Sequence, residues 1–269
     1  MTNQISRDGR TWKEHFPEGD LWVFGYGSLI WKPPPHFDKR VPGYISGYVR
    51  RFWQASTDHR GTPERPGRVV TVIEKSFWET LDDPHKTLES SNSSTVWGAA
   101  YHIPASHAEE VHDYLDVREI DGYTVHYTPF YAVRPKDEQP PSQHQQSPLS
   151  ELLPTSSKPI TCMVYIGQPT NPQFLRDPAE RHPASVAEVI SRGVGQSGRN
   201  PEYLYLLEKA LEGLGLGLAD GHVTDLVRRV KAIEGLHDRK WEADEEEERA
   251  EKEVEINIAG GGGTVDAIE

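Results

Sequence analysis

A single cysteine, Cys162, in 269 residues leaves no partner for an internal disulfide and no thiolate cluster for zinc or an iron–sulfur centre. No apolar run approaches the ~20 residues that a bilayer span needs, and the opening MTNQISRDGR lacks the apolar stretch of a secretion signal. A cytoplasmic chain without a membrane partner is the expectation. The sequon-like Asn92-Ser93-Ser94 is then expected to stay unmodified. Basic residues are also scarce, with 29 Lys and Arg against 42 Asp and Glu and a formal net charge of -13. So acidic a surface has no general affinity for nucleic acid or anionic lipid, which leaves room for a small ligand held by a local site.

What is there divides unevenly. Leu21 to Gly25, Gly43 to Ser56, Arg68 to Glu74, Thr95 to Ile103, Tyr123 to Val133 and Thr161 to Gly167 are short and mostly rich in Val, Ile, Tyr, Phe and Trp, and read as strands. Ser106 to Leu115 reads as a helix opened by a Ser106/Glu109 capping box. Ser185 with Glu188 is expected to open a second helix and Asn200-Pro201 a third. Val223 to Ile233 carries the apolar spacing of a fourth. Strands early and helices late, without regular alternation, predict an α+β fold. The expected organisation is an extension at 1–20, one domain over 21–240 with a loop insert at 136–159, and an acidic, Gly-containing tail at 241–269.

Two stretches carry candidate chemistry. VFGYGSLIW, Val23 to Trp31, is a strand running into a glycine turn. Three familiar loops fail by spelling: the dinucleotide fingerprint would need glycine where Ile30 stands, the phosphate loop lacks Gly-Lys-Ser/Thr, and Gly27 precedes Ser28 where a nucleophile elbow wants its glycine one position earlier. Either an ordinary tight turn or a nest of backbone N–H groups for an anion remains. YLDVREIDGY, Tyr114 to Tyr123, places Glu119 at a helix end whose dipole disfavours a carboxylate, so Glu119 is either a proton shuttle of raised pKa or a solvated acid paired with Arg118. His107 and His112 are spaced five apart and miss the zincin pattern.

Taken together, VFGYGSLIW, GYVRRFWQASTDHRGTPERPGRVVT, VWGAAYHI, YLDVREIDGY, VYIG and GQSGRNPEYL occur in order between Val23 and about Val230. In these motifs the chain resembles the ChaC-type γ-glutamylcyclotransferases, which act on glutathione. The resemblance implies a small mixed β-barrel surrounded by helices, an active site at its mouth and Glu119 as the catalytic carboxylate. It implies that the stretch Val23, Phe24, Gly25, Tyr26, Gly27, Ser28 and Leu29 holds the γ-glutamyl end of the substrate. Tyr123, Ser56, Arg68 and Tyr203 are further candidates for substrate contacts, the last three for the Cys-Gly part. Plainer roles remain open for two of them, a buried strand tyrosine for Tyr123 and a surface salt bridge for Arg68. Trp22, Trp53 and Trp97 are expected in the core. Two other readings stay in play, cyclotransfer on other γ-glutamyl amines or amino acids and a non-catalytic γ-glutamyl-peptide binder.

The implied reaction closes a ring with the substrate's own α-amine, so no cofactor or metal is expected. Dialysis against EDTA should leave turnover of glutathione unchanged. Activity lost in EDTA and regained with one particular divalent ion would contradict this.

Overall fold

The structure, a computed structural model, describes residues 11–88, 94–119, 121–133, 158–216 and 219–235. Asn92 and Ser93 of the sequon-like site, nearly all of the 136–159 insert and the acidic tail lie outside the described residues.

The chain opens with α1 (Trp12–His15) and β1 (Leu21–Gly25), followed by a 3-10 turn at Ser28–Ile30. Next come β2 (Lys39–Ser46), β3 (Tyr48–Ser56), β4 (Gly67–Glu74), α2 (Lys75–Trp78), β5 (Thr95–Ile103), α3 (Ala108–Arg118), β6 (Thr124–Ala132) and β7 (Ile160–Ile166). The remainder holds α4 (Pro178–Arg181), α5 (Pro183–Arg192), the two-residue strands β8 (Val194–Gly195) and β9 (Gly198–Arg199), α6 (Asn200–Glu212) and α7 over 221–235. Strands β1-β5-β2-β6-β7 close into a five-stranded barrel, as the α+β reading and the family resemblance predicted. Its closing pair, β1 with β7, is parallel, and the other neighbours are antiparallel.

Small barrels fill their interior with side chains, which forces large residues to face small ones. Here Phe24 and Phe130 lie 5.5 Å apart, centroid to centroid. A Cβ on Gly98 would come within 2.7 Å of the Phe24 ring, and one on Gly43 within 2.5 Å of the Phe130 ring. Gly43 and Gly98 are register partners on β2 and β5.

Burial on both faces explains the unbroken apolar spelling of β1. Phe24 joins a core shared with α5, α6 and α7 through Val186, Leu204, Leu207 and Leu226. Leu21 and Val23 join a second core with Trp12, Phe16, Val111 and Leu115. Residues 12 and 16, inside the expected extension, are thus covered. Trp53 is fully buried, while Trp22 and Trp97 pack against the main core with part of their surface free.

Several expectations need correction. Gly43 to Ser56 is two strands, broken at Gly47, which adopts φ +89. The Ser106/Glu109 box is not formed: His107 precedes α3 and makes no side-chain cap bond. α5 opens at Pro183, where His182 accepts from Ala184 N–H, so Ser185 is not its cap. Asn200 is the first residue of α6, and its side chain instead grips the backbone of Arg68, accepting from its N–H at 2.7 Å and donating to its carbonyl at 2.8 Å.

β3 carries a register shift between Arg51 and Gln54. The Phe52 N–H donates to His222 Nε2 at 3.0 Å, from α7. With Nε2 accepting, Nδ1 of a neutral His222 holds the hydrogen and donates to His85 Nδ1 at 2.8 Å, and His85 Nε2 in turn donates to Asp225 at 2.9 Å. Beside this relay, Arg51 and Trp78 Nε1 both donate to Asp83, at 2.8 and 2.7 Å.

Replacing Gly98 with Ala is expected to destabilise the barrel by about 3 kcal/mol or more in urea unfolding, because the new methyl meets backbone 2.2 Å away at Gly25 O. Gly235→Ala, which meets open space on α7, should change stability by less than about 1 kcal/mol.

Candidate active site

Glu119 sits just past the last turn of α3, and its N–H closes that turn on Leu115 O at 2.8 Å. The chain then reverses through two residues with positive φ, Asp121 at +68 and Gly122 at +78. Asp enters this region more readily than most side chains, and hydrogen bonds from distant elements hold it there. Gln54 and Asn171 side chains donate to Asp121 O at 3.0 and 2.8 Å, and Thr57 Oγ1 donates to its carboxylate at 2.9 Å. The β3 irregularity thereby holds the loop that carries Glu119, a placement typical of bulges beside active sites.

Opposite stands the glycine turn. Ile30 N–H bonds Gly27 O and Trp31 N–H bonds Ser28 O, which leaves the N–H groups of Gly27, Ser28 and Leu29 without a partner among the described residues. Arg118 ties turn to carboxylate. Its Nη2 donates to Ser28 Oγ and its Nη1 to Lys32 O, both at 3.0 Å, while Nε lies 3.5 Å from Glu119 Oε1.

A cavity of about 250 Å³ lies here, with Ser28, Lys32, Ser56, His59, Arg60 and Asp121 on its wall. It adjoins a recess of about 40 Å³ lined by Phe24, Tyr26, Gly27, Leu29, Val70 and Tyr165. Ser28, Glu119, Tyr123 and Tyr203 line both. Tyr123 donates to Val70 O at 3.1 Å, Tyr26 to Tyr165 O at 2.7 Å, and Tyr203 is tied to the Val70 backbone. Burial drives the pKa of Tyr26, Tyr123 and Tyr203 upward, and the nearby Glu119 charge adds to the shift, so all three are neutral.

Burial also raises the Glu119 pKa, against the opposing pull of Arg118 and His59. Desolvation wins because the ion pair is long and the side chain keeps only 18% exposure. The acid is therefore paired with Arg118 and largely buried, and burial rather than the helix end is the leading cause of the shift. His59 Nδ1 lies 2.9 Å from Ser197 Oγ, and its Nε2 faces Arg118 O, fastening the β8–β9 hairpin to the rim.

The structure brings together Phe24, Tyr26, Gly27, Ser28, Leu29, Glu119, Tyr123, Ser56 and Tyr203. Three expected contacts are elsewhere. Val23 points into the second core and Gly25 packs on Leu29, so both shape the turn from behind. Arg68 faces another cavity: Ser56 and Val69 line the Glu119 side of the β3–β4 hairpin, so the alternation of strand side chains turns Ala55 and Arg68 to the other. Arg60, His59 and Asp121 were missed as site residues, although the motif spelling TDHRG and the DG turn contained them. Among the described residues, three metal-ligand side chains converge only at His36, His107 and Glu110. These lie at the opposite end of α3, a helix length or ~16 Å from Glu119.

Barrel, recess and a desolvated carboxylate fit a class, enzymes that act on a small bound substrate. Residues 21–233 match the model of the ChaC-like protein family, and the chain belongs to that family. It is 42% identical over 215 residues to a glutathione-specific γ-glutamylcyclotransferase of Schizosaccharomyces pombe, covering 80% of this chain and 94% of the relative. A human glutathione-specific γ-glutamylcyclotransferase 1 is 33% identical, over 80% of this chain and 82% of that protein. Among solved structures, a yeast γ-glutamylcyclotransferase specific to glutathione superposes with a TM-score of 0.65 at 35% identity, covering 79% of this chain and 96% of that one.

A carboxylate whose folded pKa is raised costs stability wherever it is ionised, and that cost disappears below its unfolded pKa. Glu119→Gln should therefore raise Tm at about pH 7.5, and the gain should shrink toward zero near about pH 4. A gain that is absent or independent of pH would show that Glu119 is not desolvated.

Proposed function

We infer that the chain is a glutathione-specific γ-glutamylcyclotransferase that converts glutathione to 5-oxoproline and Cys-Gly. The observation that carries this reading is Glu119, buried and pKa-raised, in one recess with three residues whose backbone N–H groups have no partner among the described residues. The names of the relatives and the structural match to the yeast enzyme support the substrate.

The γ-glutamyl end enters the recess, where the N–H groups of Gly27, Ser28 and Leu29 receive its carboxylate or the developing oxyanion. Cys-Gly lies in the wider cavity, where Lys32 and Arg60 offer positive charge to the glycine carboxylate and Ser56 and Tyr203 line the wall. Arg68 has no part in this.

The α-amine attacks the γ-carbonyl carbon, the new C–N bond closes the lactam, and the bond to the cysteinyl nitrogen breaks. Water is neither consumed nor released. The α-ammonium gives up two protons and the cysteinyl nitrogen gains two, so charge balances with Glu119 carrying each in turn. Neutral tyrosines around it cannot compete as bases. Holding the substrate folded supplies much of the rate, since well-oriented ring closures reach effective molarities of ~10⁵–10⁸ M.

Among the described residues no helix is long and apolar enough to cross a membrane. The acidic charge and lone buried Cys162 support a cytoplasmic enzyme without nucleic acid or membrane partners.

Glu119→Gln should fold, bind glutathione in calorimetry and lose turnover by about 10²–10⁴-fold, followed as 5-oxoproline and Cys-Gly by mass spectrometry. In the wild type, kcat/KM should fall on the acid side with an apparent pKa above the usual carboxylate range, because the shuttle must start ionised. A variant that keeps its turnover removes Glu119 from the mechanism.

A further inference from the structure

Behind the β3–β4 hairpin lies a cavity of about 680 Å³, larger than the one at Glu119 and unused by the reaction above. Ala55, Pro172, Phe174, Leu175 and Val189 give it an apolar lining. At its edge Arg68 is 93% covered, with 7% of its surface exposed. Its guanidinium is fixed rather than free to swing, because Nη1 donates to Pro66 O at 3.3 Å and Gly67 O at 3.1 Å. Asn200 locks the Arg68 backbone from the other side.

That leaves donors unspent. Nε is buried without a partner, and Nη2 has none among the described residues, although Arg68 lines the cavity. Holding a guanidinium out of water with open donors costs free energy unless an acceptor arrives. Glu180, at the rim, does not reach it within ion-pair distance, and Glu188 is already paired with Arg192. With Arg65 the wall holds three arginines against two glutamates, a local positive excess on a chain of net charge -13.

We propose that this cavity is a second ligand site, taking a small carboxylate with an apolar body, such as an acylated or C-terminal amino acid. The carboxylate meets Arg68 and the apolar body lies along Ala55, Phe174 and Val189. A cavity of this size suits such a ligand, since small-molecule sites span about 300–1,000 Å³ with few polar anchors. Because Asn200 opens α6 and Tyr203 lies one turn further along it, the site is joined to the catalytic wall by a single helix turn.

The test uses N-acetyl-leucine as probe, N-acetyl-leucinamide as its uncharged counterpart, and ligand-observed NMR titration of the whole chain. Saturable binding of the acid is expected, at least about tenfold tighter than the amide, the scale of one charge-assisted hydrogen bond. Arg68→Gln and Val189→Trp should each weaken it about tenfold or more, whereas Glu119→Gln should not. Val189→Trp fills the cavity from a half-exposed helix position, so it decides the matter if Arg68→Gln does not fold. No saturable binding, equal binding of acid and amide, or affinity unaffected by Val189→Trp would overturn the proposal. Loss of binding in Glu119→Gln would place the probe in the catalytic cavity and overturn it equally.

Discussion

Closing a barrel with five strands leaves an interior so narrow that Phe24 and Phe130 fit only because Gly43 and Gly98, paired across β2 and β5, present no side chains to them. The rest of the architecture follows from that fit. With Phe24 seated inward, β1 ends against β5 at Gly25, and the chain must turn at once. A Cβ on Gly27 would stand 2.8 Å from Val70 and 3.1 Å from the Tyr203 hydroxyl, so that residue lets strand, hairpin and helix meet around one recess. The turn at Tyr26 to Ile30 is thus a product of barrel closure, and its unspent N–H groups are what closure leaves over.

Glu119 shows the competition between burial and pairing. Arg118 is close, but it also serves Ser28 and Lys32, so its charge is shared and its contact with the carboxylate is long. A tighter ion pair would favour the ionised form and lower the pKa. The protein instead spends many hydrogen bonds on the loop behind the acid, at Gln54, Thr57 and Asn171. Position is fixed by those bonds, and proton affinity is raised by burial.

What was legible in the sequence was local. β1, its glycine turn and the acid at the end of α3 are each written within about ten residues, and the barrel strands announce themselves by composition. Errors arose where a distant partner decides. The run from Gly43 to Ser56 is interrupted in spelling only by Gly47, yet β2 pairs with β5 and β6 while β3 pairs with β4, and Gly47 absorbs the change. Arg68 sits in a motif with functional neighbours, but one step along a strand reverses a side chain. Asn200 has the spelling of a cap and serves a strand 132 residues away. The domain boundaries read from composition, likewise, did not anticipate Trp12 and Phe16 in the second core.

The imidazole relay from Phe52 to Asp225 gives α7 a pH dependence of its own. Burial, reinforced by Arg51, holds His222 neutral, and burial also lowers the His85 pKa. As pH falls below ~6.5 the unfolded histidines take up protons that the folded relay refuses, so the docking of α7 on β3 loses free energy. Burial of Glu119 works with the opposite sign, because acid relieves it. Mild acid therefore acts on the two places with opposite signs: it relieves the buried carboxyl at the barrel mouth while taking stabilisation from the relay that ties α7 to β3.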